Sequence, residues 1–161
     1  MKRKLIISGH SNGLGRALAE YYLRRGDEVL GLSRRRVAVE PSEKLQQHII
    51  DLSDSAAVAA LLSDGLIADF MHAADEVVLI NNAGTVQPSA MLGRQNDAEI
   101  IASAALNITA PLLLANEACR QKPANAVLKI VHISSGAGRN AYPGWSVYGA
   151  GKAALDHHAP V

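Results

Sequence analysis

Short apolar runs of strand type recur along the chain, separated by stretches whose apolar residues return at helical spacing. The runs fall at residues 5–8, 28–32, 48–52, 77–81 and 127–134. After the first run, Ala17, Leu18, Tyr21 and Tyr22 mark one face of a helix, and Gly26 is placed to end it. Ser53 or Asp54 is placed to cap the alanine- and leucine-rich helix that holds residues 56–62. A long helical pattern then runs through Ile101, Ala104, Ile108, Leu112 and Ala115. Strand–helix alternation of this kind argues for a parallel sheet with helices on both faces. Right-handed crossovers make the expected strand order 3-2-1-4-5, with the reversal, and hence a ligand crevice, between strands one and four.

Composition narrows the picture modestly. At 161 residues the chain has the length of one domain, 1–161, with room for a sizeable core. A net charge of +1 gives no electrostatic case for nucleic acid, and Lys2-Arg3-Lys4 and Arg34-Arg35-Arg36 read as solvated charge. The apolar run after Lys4 stops at Ser8, too short for a secretory segment, and no stretch is expected to be long enough to span a bilayer. The single Cys119 excludes an intrachain disulfide; it is expected to be a buried, inert thiol in a reducing cytoplasm. His157 and His158 are adjacent and so diverge on a helix, which suits a surface pair and no metal.

Three segments carry chemistry. Lys4-Leu5-Ile6-Ile7-Ser8 leads into Gly9-His10-Ser11-Asn12-Gly13-Leu14-Gly15 and then a helix. Glycines permit positive φ and close backbone approach, and the free N–H groups of a first helical turn point at a pyrophosphate. Tyr148 and Lys152 stand one turn apart on one helical face. An ammonium there favours the phenolate and brings a tyrosine, ordinarily near pKa 10, toward proton exchange, while Ser134 or Ser135 could hold a substrate oxygen. Asn107 lies four residues before Pro111, which has no N–H to give its carbonyl, so the helix should kink there and leave that carbonyl free to hold a water.

In this order and at these separations, the glycine turn, Asn81-Asn82-Ala83-Gly84, Asn107, and Ser135 with Tyr148 and Lys152 resemble a classical short-chain dehydrogenase/reductase. Ala141-Tyr142-Pro143-Gly144-Trp145-Ser146 is similar to the branch containing sepiapterin reductase and bacterial benzil reductase. The resemblance implies a Rossmann-type doubly wound α/β fold and carbonyl reduction with a nicotinamide dinucleotide. It assigns catalysis to Ser135, Tyr148, Lys152 and Asn107. Ser135 would hold the carbonyl, Tyr148 would give the proton, and Lys152 would lower the tyrosine's pKa and bind the nicotinamide ribose. Asn107 would anchor a water of the proton relay. Cofactor binding would fall to Gly9, Ser11, Asn12, Gly13, Leu14 and Gly15, to Ser33 and Arg34, to Asp51 and Leu52, to Asn82, Ala83 and Gly84, and again to Tyr148 and Lys152. Asn81 would steady the sheet. Asp51 would meet the adenine amino group or serve as a turn carboxylate beside Ser53 and Asp54. Trp145 would floor an apolar pocket or anchor the core.

After the second strand, Ser33-Arg34 stands where an acidic residue would bind the ribose of NAD, so NADP(H) is expected over NAD(H). The chain is shorter than the family's usual length. It is expected to lack the last strands and most of the substrate lid, to leave strand five as an exposed edge, and to lose its helical pattern at Ala159-Pro160-Val161. A small carbonyl or alcohol substrate, no membrane, and homo-oligomers through the helices carrying Asn107 and Tyr148 complete the expectation. A non-catalytic dinucleotide-binding remnant and a self-association module are the alternatives.

Overall fold

The computed structural model describes residues 1–39 and 43–159, so Pro160 and Val161, where the helical pattern is expected to break, lie outside the described residues. Five parallel strands form the sheet: β1 (Arg3–Ser8), β2 (Glu28–Ser33), β3 (Leu45–Ile49), β4 (Glu76–Asn81) and β5 (Val127–His132). Their order is β3-β2-β1-β4-β5, as the alternation requires. The central strands are apolar on both faces because helices cover both: Leu5, Ile6 and Ile7 of β1 are fully buried.

Ile6, Leu30 and Leu79 pack on one side against Val58 and Leu61 of α2 (Ser55–Ser63), Phe70 and Met71 of α3 (Leu66–Met71) and Leu114 and Ala118 of α5 (Ala110–Gln121). Leu5, Ile7 and Val29 pack on the other side against Ala19 and Leu23 of α1 (Gly13–Arg24). Gly26 stops α1 at a φ of 86°, and the Asp54 carboxylate caps α2 by accepting from Ala57 N.

The third strand lies three residues before its expected place. Val29 pairs with Leu45 and Ser33 with Ile49. Apolarity at positions 48–52 marks burial rather than pairing: on this edge strand Gln46 and His48 are exposed, while Ile50 and Leu52 turn into the core beyond its end. The fifth strand ends at His132, two residues early, and is an exposed edge among the described residues, with Val127 and Val131 on its open face.

The long helical pattern is real, and it becomes irregular where Pro111 disturbs it. α4 (Asp97–Ala104) passes through a π-helical segment, Ala105–Thr109, into α5, and Ala110 N donates to the Ala105 carbonyl. A proline ring clashes with the carbonyl four residues back, here Asn107, and a wider turn is one way a helix continues through it. The combined helix, Asp97–Gln121, is 25 residues long with a mean hydropathy of 1.6 in its most apolar window, so by length and composition it could cross a membrane, contrary to expectation. Two further expectations are corrected. Cys119 is exposed, because α5 buries Ala110, Leu114, Ala115 and Ala118 on its other side. Lys2-Arg3-Lys4 is not free charge: Lys2 and Lys4 each stand 3.2 Å from Glu28, and Arg3 donates to Glu76.

After β5 come a single 3₁₀ turn, Gly136–Gly138, and α6 (Ser146–His158).

Candidate active site

The carboxyl ends of β1 and β4, where the strand order reverses, open onto a cavity of about 500 Å³. Its walls include Gly9, Ser11, Asn12, Gly13 and Leu14 of the glycine turn, Ser33 and Arg34 after β2, Asp51 and Leu52 after the third strand, and Asn82, Ala83 and Gly84 after β4. Gly15 is behind the wall. A Cβ on it would stand 2.2 Å from the Gly9 carbonyl oxygen and 2.5 Å from Asn82 Nδ2, so glycine there lets α1 start against the turn. Gly9 itself has a φ of 72°. A wall of turn backbone, with the first turn of α1 opening onto it, fits a dinucleotide's pyrophosphate.

Several wall residues have their polar groups committed to the wall itself. Asn82 Nδ2 donates to the Ser8 and Gly9 carbonyls, and Ser8 Oγ accepts from Asn82 N and Ala83 N, stitching β4 to β1. Ser33 Oγ donates to the Arg35 carbonyl at 2.7 Å. Asp51 accepts from Ser53 Oγ and Ser53 N in the turn after the third strand; those bonds, with Arg34 nearby, hold its carboxyl below the usual range. Arg34 is exposed at the wall.

Ser135, Asn107, Tyr148 and Lys152 do not line this cavity; Asn107 and Lys152 lie just past its Gly84 end, with Tyr148 beside Lys152. A Cβ on Gly84 would lie 3.1 Å from Asn107 Oδ1 and 3.6 Å from Lys152 Nζ. Lys152 is buried, donates to the Ile133 carbonyl at 2.6 Å, and sits 5.6 Å from the centre of the Tyr148 ring. Burial pushes its ammonium below the ordinary lysine range, partly opposed by the charge of Asp156. Glycines let α6 approach so closely: a Cβ on Gly151 would stand 3.0 Å from Asn107 Cβ, and one on Gly149 2.8 Å from the Ala137 carbonyl oxygen.

The Asn107 side chain is fully engaged. Its Oδ1 accepts from Thr85 N at 2.9 Å, and its Nδ2 donates to the Thr85 carbonyl at 2.8 Å and to Ser103 Oγ at 3.0 Å. Ser135 begins the 3₁₀ turn, its Oγ accepting from Ala137 N. Trp145 is half-buried, so it is no core anchor: it lies edge-on between Tyr142 and Tyr148 and donates from Nε1 to Ser89 Oγ. Asn81 Nδ2 reaches the Pro111 carbonyl and His132 Nδ1, and His132 Nε2 lies 3.1 Å from His158 Nδ1, so only His157 of the expected surface pair is exposed.

Residues that the motifs did not single out also line the cavity, among them Arg35, Ile50, Ser53, Thr85, Gln87, Glu99 and Ser103. Ser103 was readable as the position one helical turn before Asn107; Thr85 acts through its backbone and gives no side-chain signal.

A family model described as short chain dehydrogenase matches residues 3–159. A benzil reductase ((S)-benzoin forming) from Bacillus subtilis (strain 168) is 38% identical over 152 residues, covering 94% of this chain and 62% of its own length. A sepiapterin reductase from Mus musculus is 30% identical over 168 residues, covering 94% of this chain and 64% of its own length. The crystal structure of a short-chain dehydrogenase/reductase from Burkholderia vietnamiensis is 44% identical, with a TM-score of 0.95 over 99% of this chain and 75% of that one. The chain thus spans less than two thirds of the length of these two curated relatives.

Proposed function

We propose, from the premise that this chain belongs to the short-chain dehydrogenase family, that it binds NADP(H) and reduces a ketone or aldehyde to an alcohol through Ser135, Tyr148 and Lys152. One observation carries the reading: at Gly84 the cleft meets the helix of Tyr148 and Lys152, with Asn107 and Lys152 both within reach of the same point. The dinucleotide, when bound, supplies the hydride. Gly9, Gly13 and Ala83-Gly84 would lie against it, and Lys152 would reach its nicotinamide ribose. Ser135 Oγ would donate to the substrate carbonyl and hold it for attack. Tyr148 would then give its proton to the developing alkoxide, helped by the Lys152 ammonium, which favours the phenolate left behind.

The preference for NADP(H) rests on the end of β2. No carboxylate stands there to take the ribose hydroxyls of NAD; Ser33 has turned its hydroxyl to the Arg35 carbonyl, and the Arg34 guanidinium suits a 2′-phosphate. The edge-on row of Tyr142, Trp145 and Tyr148 favours a small aromatic or dicarbonyl substrate.

Turnover of NADPH with an aromatic diketone tests the chemistry. Tyr148→Phe should lower kcat by about 10²-fold or more. A variant that keeps full turnover would overturn the assignment. A second reading, binding without catalysis, is favoured by the position of the catalytic residues outside the cavity wall; saturable NADPH binding with no diketone turnover would establish it.

A further inference from the structure

His10 is the one histidine that the chain buries completely, and nothing in the proposed chemistry uses it. It sits inside the glycine turn, with its ring flat against the middle of β2. A Cβ on Gly31 would stand only 2.3 Å from His10 Cγ and 2.4 Å from Cδ2. Across the sheet, Gly31 is paired with Gln47 of β3, and His10 Nε2 lies 2.8 Å from Gln47 Oε1. Gln47 is also held by the loop that follows β2. Its Oε1 accepts from Val37 N at 2.8 Å and its Nε2 donates to the Val37 carbonyl at 3.0 Å.

The two bonds to Val37 fix which way the Gln47 amide faces, because only the oxygen can accept from a backbone N–H. His10 must therefore donate from Nε2. Its Nδ1 has no partner among the described residues. This arrangement is costly twice over. A buried imidazole nitrogen is left unpaired, and β2 carries a glycine at its centre to make room for the ring. A leucine or phenylalanine at position 10 would avoid the first cost, so a packing role alone does not account for the histidine. What the histidine adds is one directional contact, to a glutamine whose other partner is the loop of Arg34, Arg35 and Arg36.

We infer that His10, Gln47 and Val37 form a clamp that sets cofactor specificity by holding the basic loop in register with the glycine turn. Ser11 and Asn12, beside His10, and Arg34 and Arg35, shortly before Val37, all line the same cavity. The glycine turn takes the pyrophosphate of either dinucleotide. Only NADP also needs a guanidinium at a fixed distance from that pyrophosphate, to meet the 2′-phosphate. Gln47 and His10 are thus positioning residues that touch no part of the cofactor. The inference rests on the proposed use of NADP(H), and it locates the preference in the support of Arg34 as well as in Arg34 itself.

The test is calorimetric titration of the full chain with NADPH and, separately, NADH. Gln47→Leu should weaken NADPH binding about tenfold, as the loss of directional hydrogen bonds would, and leave NADH binding within about twofold. His10→Phe keeps a flat ring on Gly31, removes only the donor, and should move the ratio in the same direction, so the inference does not depend on Gln47→Leu folding. Loss of stability by itself lowers both affinities together and leaves their ratio unchanged. If the wild-type chain prefers NADPH and both variants keep that preference in full, the clamp has no such role. A wild-type chain that binds both dinucleotides equally would instead overturn the NADP(H) reading and the specificity role with it. Hydrogen exchange reports on the clamp separately: the Val37 amide should exchange faster in both variants, and an unchanged rate would show that it is not held as described.

Discussion

Lys152 faces two opposing demands. In the proposed chemistry it stays charged to favour the Tyr148 phenolate, yet it is buried, and burial pulls its pKa below the ordinary 10.5. Its bond to the Ile133 carbonyl offsets part of the desolvation. If the ammonium is what activates Tyr148, carbonyl reduction should fall on an alkaline limb whose midpoint lies below the ordinary lysine value. The pH profile of kcat/KM checks this, and Lys152→Arg, which cannot be deprotonated, should shift the position of that limb whatever rate it retains. Gly84 is the complementary case. Gly84→Ala places a methyl 3.1 Å from Asn107 Oδ1 and 3.6 Å from Lys152 Nζ, so it should reduce turnover severalfold while the thermal midpoint moves little. Residues with distinctive side chains and fixed spacing, such as Tyr148, Lys152 and Asn107, could be picked out from sequence. The partner that pins Asn107 is the backbone of Thr85, and backbone partners leave no mark in composition or periodicity.

Among the elements, termini were easier to read than registers. Asp54 and Gly26 act where a cap and a stop were expected, because the chemistry of a helix end is local. Asp54→Ala should therefore cost about 1 kcal/mol, seen as a fall of about 2–4 °C in Tm for a chain of this size, with cofactor binding unchanged. Gly15→Ala should behave differently. Its methyl would meet the Gly9 carbonyl oxygen at 2.2 Å, and since that neighbour is backbone, the start of α1 must move away from the turn. Binding of both dinucleotides should fall together, which separates this effect from the selective one expected at Gln47. Ile50 and Leu52 misplaced the third strand because apolar residues report burial, while pairing is set by backbone that every residue shares. The π-segment was half legible: Pro111 announced that the helix could not continue regularly, but not that its turn would widen.

Across the whole molecule, the cavity and the ion pairs occupy opposite ends of the strands. The cavity opens at the carboxyl ends of the strands, and the densest ion pairing lies at their starts. There Glu76, almost completely buried, joins β4 to Arg3 of β1 and Lys129 of β5, while Glu28 of β2 receives Lys2 and Lys4. The bond from Lys129, then that from Arg3, holds the Glu76 carboxyl below the ordinary 4.5, against the opposing effect of burial. For a carboxylate with a depressed folded pKa, the unfolded chain binds more protons as the solution is acidified. The stabilisation is therefore complete above about 4.5 and is lost as pH falls through the folded value. Glu76→Gln removes the charge that three strands share and should cost about 1–3 kcal/mol at neutral pH. The difference in Tm between wild type and variant should shrink steadily below pH 4.5, because protonation carries the wild type toward the state the variant already occupies. The proposed cofactor cleft lies at the far ends of the strands and shares no partner with Glu76, so the two contributions should add. Saturating NADPH should raise the Tm of wild type and Glu76→Gln by the same amount; unequal increments would mean that the ion pairs at the strand starts and the cleft at their ends are coupled through the sheet.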